Sequence, residues 1–259
     1  MGLFETFYYY WTEKADPRSR DWLLIGSSYQ IPLIMFVYLY TVFYWGPRYM
    51  KDKPPYDLRT FIKFYNLLQI VANAWLVREY ITVEWLITIP LTCSALRYSY
   101  EPHKYKITVI LWWTLLLKIL DLTETVLFVL RKKNEQISVL HIYHHVSTVI
   151  IICIFMKYTA NEIITLVPLL NCSVHFIMYN YYLFSSFGPR IRMIIAPCKR
   201  YITIIQMVQF CILIAYAAQS SLSDCKSVRN LGYIFILNVT INLCLFYKFY
   251  QRTYITKAK

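Results

Sequence analysis

Charge is scarce in this chain: only 16% of its 259 residues are Asp, Glu, Lys or Arg, while 58% are apolar. Mean hydropathy is +0.41. A soluble domain of this size has too little interior to hide that much apolar surface. An ordinary soluble fold is therefore excluded, and lipid is the expected solvent. Acidic groups are scarcest, 14 against 27 basic ones. No stretch reads as a soluble domain, an internal repeat or a low-complexity segment. The seven cysteines contain no C-x-x-C pair of the kind that holds a metal. A cleavable leader is not expected either, because Met1–Asp21 is polar and mixed in charge, and no small-residue cleavage site follows an apolar run.

What is present is a series of apolar runs. A membrane-spanning helix needs about 20 mainly apolar residues, and seven segments qualify: Ile25–Gly46, Phe61–Ile81, Ile107–Leu130, Ile137–Tyr158, Glu162–Phe187, Tyr201–Gln219 and Leu231–Tyr250. The second carries Lys63 and Arg78. Val83–Leu96 contains Pro90 and is too short, so it reads as a loop or re-entrant stretch. The expected organisation is a lumenal segment 1–24, a seven-helix membrane domain 25–250 and a cytosolic tail 251–259. Aromatics make up 18%, with 25 tyrosines suited to the membrane interface.

Lys and Arg crowd one side of these spans (Arg48 to Arg59, Arg131 to Lys133, Arg190 to Arg200, Lys248 to Lys259). That asymmetry predicts a cytosolic C-terminus and a lumenal or external N-terminus. A net charge of +13 would suggest nucleic acid in a soluble protein. Here the bases sit in short loops beside apolar runs, so nucleic acid is not expected. Anionic lipid headgroups or a phosphorylated substrate fit instead. Cys93 and Cys225 both fall in loops on the oxidising side and are expected to form a disulfide.

Ionisable groups inside spans are costly and mark function by default. In the third span Lys118, Asp121 and Thr125 share a helical face, with Glu124 beside them. The alternative is an intrahelical ion pair that only holds the bundle. In the fourth, His141, His144 and His145 fall at i, i+3 and i+4 on one stripe, which packing alone does not explain. The fifth carries Asn171, His175, Met178, Tyr179 and Tyr182 on one face. The sixth carries Thr203, Gln206 and Gln209. These polar stripes are either interhelical glue or the walls of one polar cavity.

In this order the stripes resemble the fatty-acid elongase (ELO) family of very-long-chain 3-oxoacyl-CoA synthases. Its H-x-x-H-H motif is matched by His141, His144 and His145. Its K-x-x-E-x-x-D-T is matched by Lys118, Asp121, Glu124 and Thr125, with the two acids interchanged. Asn171, His175, Met178, Tyr179, Tyr181 and Tyr182 match N-x-x-x-H-x-x-M-Y-x-Y-Y, and Thr203, Gln206 and Gln209 match T-x-x-Q-x-x-Q. Gly46-Pro47, Met50, Pro54 and Tyr65-Asn66 resemble its first loop and second span. The Met-Pro usual after the histidines and a glycine-rich fourth–fifth loop are missing, so the chain reads as a divergent member.

The resemblance implies an all-α membrane protein of seven transmembrane helices, helices two to seven surrounding a narrow acyl-chain tunnel. It implies an endoplasmic reticulum enzyme that condenses acyl-CoA with malonyl-CoA and needs neither metal nor cofactor. Partners would be membrane lipid, the reductase and dehydratase of the elongation cycle, and a second copy in a homodimer. Imidazole is a competent nucleophile near neutral pH. Family analogy gives that role to His144, although spacing does not separate it from His145. His141 and His145 would orient it or move protons. His175 would stabilise an oxyanion or enolate, and Asp121 or Glu124 would fix an imidazole tautomer. Substrate contacts would come from Lys118, Arg131, Lys133, Gln136, Asn171, Tyr181, Lys199, Thr203 and Gln206. Cys153 and Cys172 are the rival nucleophiles. A membrane di-iron desaturase or hydroxylase also uses H-x-x-H-H, but five histidines in all are few for two metals. A seven-helix receptor or lipid transporter would leave the buried histidines unexplained.

Overall fold

The computed structural model of the chain describes residues 2, 5, 9–83, 99–160, 162–222 and 226–256. Cys93, Cys225 and most of Val83–Leu96 lie outside the described residues. Among the described residues the regular elements are all helical. They are α1 (Gln30–Tyr40), α2 (Gly46–Met50), α3 (Arg59–Thr82), α4 (Pro102–Leu130), α5 (Val139–Tyr158), α6 (Leu166–Ser185), α7 (Pro189–Ile195), α8 (Cys198–Leu222) and α9 (Lys226–Tyr250), with short 3-10 and π turns between. Each of the seven expected segments falls on helix. Three stretches of the described residues are long and apolar enough to cross a membrane: Val139–Tyr158, Cys198–Gln219 and Arg229–Ile255.

The chain forms two compact units, Met1–Tyr56 with Leu96–Thr165, and Asp57–Ala95 with Leu166–Lys259. In the first unit α1 runs through a π turn (Thr41–Trp45) into α2. Its inward positions Ile31, Met35, Tyr38 and Val42 recur at helical spacing and pack on Leu115, Leu122 and Val129 of α4 and Val149, Ile152 and Met156 of α5. Gly46 permits a close approach there, since a Cβ would lie 2.7 Å from Val129 Cγ1.

The first helix starts at Gln30, five residues later than the sequence suggests. Leu24 has φ +74°, Ile25 is fully buried in a turn, and the Leu24 N–H donates to Gln30 Oε1 at 2.8 Å. The residues before it are tied inward by buried polar groups. Asp16 and Arg18 form an ion pair at 2.7 Å. The Arg18 guanidinium also donates to the carbonyls of Ser99, Lys104 and Ala160. Lys157, 2% exposed, donates to Ile25 O at 2.8 Å and lies over the Trp11 ring at 3.9 Å.

The α4–α5 turn decides the geometry of the site. Lys132 adopts φ +53°, while Lys132 N–H bonds Val129 O and Lys133 N–H bonds Phe128 O, the pairing that closes a Schellman end. Ser138 then opens α5, its Oγ accepting from His141 N–H at 3.2 Å. At the other end of α4, Pro102 occupies the first turn. The Lys104 ammonium, 3.0 Å from Glu101, holds that carboxyl below its usual pKa.

In the second unit α3 packs along α6, α6 on α8, and α8 on α9. The inward face of α3 carries Tyr65, Asn66, Gln69, Asn73, Leu76 and Tyr80. Of its span charges, Arg78 is exposed and pairs with Glu79 at 2.8 Å, and Lys63 is half-buried, 5.1 Å from the Phe187 ring centre.

Candidate active site

The site of the first unit is built across the α4–α5 hairpin. A short connection makes antiparallel neighbours of the two helices, and so the last turns of α4 face the first turns of α5. On α4, Lys118 Nζ and Asp121 Oδ2 are 3.1 Å apart and both buried. One turn on, Glu124 Oε2 lies 3.8 Å from His145 Nε2, an ion-pair distance when the imidazole is protonated. Thr125 Oγ1 is 2.8 Å from His141 Nε2, and the Phe128 ring is 5.3 Å from the His141 ring.

On α5 the imidazoles form a contiguous group. The His141 and His145 rings are 4.2 Å apart, and His144 meets His145 edge-on at 5.8 Å. The i, i+4 pair is therefore the closest along the helix, its rings tilted by 53°, and is addressed by α4. The two acids, which the sequence leaves interchangeable, stand differently here. Asp121 is bonded to Lys118, and the longer Glu124 reaches towards a histidine.

Sequence reasoning missed Tyr38. Its hydroxyl, buried on α1, is 2.8 Å from Thr125 Oγ1. A chain of two hydrogen bonds thus runs Tyr38–Thr125–His141. With Tyr38 donating to Thr125, the Thr125 proton goes to Nε2, and neutral His141 carries its own proton on Nδ1. Nothing in the sequence distinguishes Tyr38 among 25 tyrosines. Ser138 was legible as an N-cap signal before the histidine motif.

Glu124, His141 and His145 each place one ligand atom within 4.8 Å of the others. Two imidazoles and a carboxylate suit zinc or iron, but three donors serve one ion, not a di-iron pair.

The remaining expected site residues fall into two groups. Arg131, Lys133 and Gln136 occupy the α4–α5 turn, where Lys133 and Gln136 are exposed and Arg131 is half-buried. In the second unit His175 is buried, its ring 5.8 Å from Tyr179. Gln206 Nε2 approaches Met178 Sδ at 3.6 Å. Thr203 Oγ1 donates to Lys199 O at 3.2 Å and lies 3.5 Å from the Tyr254 hydroxyl. Tyr181 is half-buried against Tyr182, with ring centres 5.9 Å apart, and Lys199 is exposed. Cys153 and Cys172 are buried and not in a disulfide.

These features define an all-helical membrane protein with a histidine–carboxylate cluster held between two helices. A model of the ELO (GNS1/SUR4) family matches residues 23–259. The chain belongs to that family. It is 33% identical over 255 residues to a very long chain fatty acid elongase of Aedes aegypti, covering 98% of this chain and 71% of the relative. It is 34% identical over 249 residues to human very long chain fatty acid elongase 4, covering 95% and 78%. To elongase 7 of Drosophila melanogaster it is 31% identical over 262 residues, covering 99% and 79%.

Proposed function

We propose that the chain is the condensing enzyme of fatty-acid elongation, joining a long-chain acyl-CoA to malonyl-CoA through an acyl-imidazole on His144. The observation that carries this reading is the hairpin. Two of the three motif histidines are addressed by Thr125 and Glu124 of α4, with His144 beside them on the same helix. His144 attacks the thioester carbonyl, the C–S bond breaks, and the imidazole proton leaves with the CoA thiolate. Malonyl-CoA then loses carbon dioxide, and its enolate carbon attacks the acyl-imidazole. The C–N bond breaks, the imidazole regains a proton, and 3-oxoacyl-CoA departs two carbons longer. An acyl-imidazole suits this step because it stays activated towards a carbon nucleophile.

Supporting roles follow from chemistry and family analogy. Glu124 orients His145, and His141, held by Thr125, sets the position of the imidazole group. His175, with Asn171, meets developing negative charge on oxygen. Arg131, Lys133 and Lys199 are cations for the CoA phosphates. Gln136, Tyr181, Thr203 and Gln206 offer hydrogen bonds to the rest of the CoA moiety. Asp121 and Lys118 neutralise one another. No metal or cofactor enters the chemistry. Seven helices cross the endoplasmic reticulum membrane, N-terminus lumenal and C-terminus cytosolic, and the second to seventh enclose the acyl chain. The reductase and dehydratase of the cycle take the product onward.

The test is mass spectrometry of purified protein incubated with an acyl-CoA and no malonyl-CoA. A mass increase equal to the acyl group should map to His144 and vanish in His144→Ala. Acylation that persists in the variant, at Cys153 or Cys172 for instance, would overturn the assignment.

A further inference from the structure

The inward face of α3 is polar where an apolar helix would suffice. Tyr65, Asn66, Gln69 and Asn73 are all buried. Three of them form an ordered row: Asn73 Nδ2 donates to Gln69 Oε1 at 3.2 Å and to Gln69 O at 2.8 Å, and Gln69 Nε2 donates to the Tyr65 hydroxyl at 3.0 Å. The helix that packs on α3 is α6. Tyr65 meets Tyr179 edge-on at 6.1 Å, and Lys63 lies over Phe187. The start of α3 therefore lies on the end of α6, and the two run antiparallel. Steps of one turn in opposite directions from the Tyr65–Tyr179 contact bring Gln69 level with His175, and Asn73 level with Asn171.

Three buried amide atoms in this pair of helices have no hydrogen-bond partner: Asn66 Nδ2, Asn73 Oδ1 and Asn171 Oδ1. Such groups are costly inside a protein and costlier in a membrane, where water does not compensate. They supply one unmet donor and two unmet acceptors. An alkyl chain answers none of these. A phosphate or carboxylate answers only the donor, and a cation only the acceptors. A secondary amide answers both kinds, and the pantetheine arm of CoA carries two. We propose that Asn66 and Asn73, positioned by the Gln69–Tyr65 row, bind the amides of that arm and so recognise the CoA thioester independently of its acyl chain. This assignment rests on the condensing reading above.

Asn66→Leu is the first variant, and Asn73→Leu the second in case the first does not fold. Condensation with malonyl-CoA would be measured on stearoyl-CoA and on the stearoyl thioester of mercaptoethanol, which has no amide. Thermal unfolding would be followed in parallel, with and without CoA. The expected result is a KM for stearoyl-CoA raised roughly three- to tenfold, as for one lost hydrogen bond, with kcat little changed. At saturating malonyl-CoA, which carries the same arm, the KM for the amide-free thioester should match that of wild type. Without ligand the melting temperature should hold or rise, because an unpaired buried amide has been removed, while its rise with CoA should shrink. A lower melting temperature with unchanged KM would make the amides structural and overturn the assignment. Equal losses on both thioesters would overturn it too. Wild-type protein that binds CoA but condenses nothing would instead refute the condensing reading, and the CoA-dependent shift would still decide the subsite.

Discussion

Thr125 is the hinge of the site's hydrogen bonding, and its replacement by valine is the sharpest test of the hairpin geometry. The exchange swaps a hydroxyl for a methyl of nearly the same size, so the volume filled is kept. What is lost is the 2.8 Å contact to Tyr38 and the 2.8 Å contact to His141. Hydrogen bonds between membrane helices average about 0.6 and reach about 1.7 kcal/mol. Two together give roughly 1–3 kcal/mol of stability. The catalytic part is the His141 contact alone. If it orients the imidazole group, about 1.4 kcal/mol in the barrier is a tenfold fall in kcat. Tyr38→Phe should cost less, because Thr125 still holds His141. The double variant Tyr38→Phe/Thr125→Val should be more stable than the sum of the single losses, since it leaves no buried phenol without a partner. Condensation rates and melting temperatures of the four proteins in one detergent give the coupling directly. Strictly additive losses, or a Thr125→Val enzyme with wild-type kcat, would refute the relay.

Three further outcomes follow from the same geometry. Lys118→Met should destabilise the protein by about 3–5 kcal/mol by leaving Asp121 buried without its cation, and Lys118→Met/Asp121→Leu should recover most of this; a single variant that melts with wild type would refute the buried ion pair. Elemental analysis of purified protein should find no stoichiometric transition metal, and a chelator should leave condensation intact; an ion lost in Glu124→Gln would make Glu124, His141 and His145 its ligands. Lys157→Met should cost about 1–3 kcal/mol through its bonds to Ile25 O and the Trp11 ring. It should also speed proteolysis of residues 9–28, whereas unchanged cleavage would mean that the segment is held by other contacts.

Local spacing made much of the site legible. His141 and His145 at i, i+4 had to be neighbours, and Lys118 and Asp121 at i, i+3 had to meet, because helical periodicity fixes neighbours on one face. The same rule puts Gln69 and Asn73 on one face of α3 with Asn66, yet of these only Asn66 is marked by the motifs, beside Tyr65. The first residues looked like a polar lead-in because Asp16 and Arg18 are charged, and only their pairing with one another and with distant carbonyls makes their burial affordable.

The sequence by itself determined that this protein lives in lipid, that it is helical, and that three histidines share one face of one helix. Composition and period are local properties and need no knowledge of which helix lies beside which. Tertiary structure alone decided that Glu124 comes within 3.8 Å of His145, and that Tyr38, more than eighty residues away, meets the Thr125 hydroxyl that holds His141. It also decided that α3 brings buried amides to the side of α6. Each of these depends on distances between segments remote in sequence. Such distances come from the Schellman turn after α4 and from apolar side chains packing across helices, and no single helix encodes them.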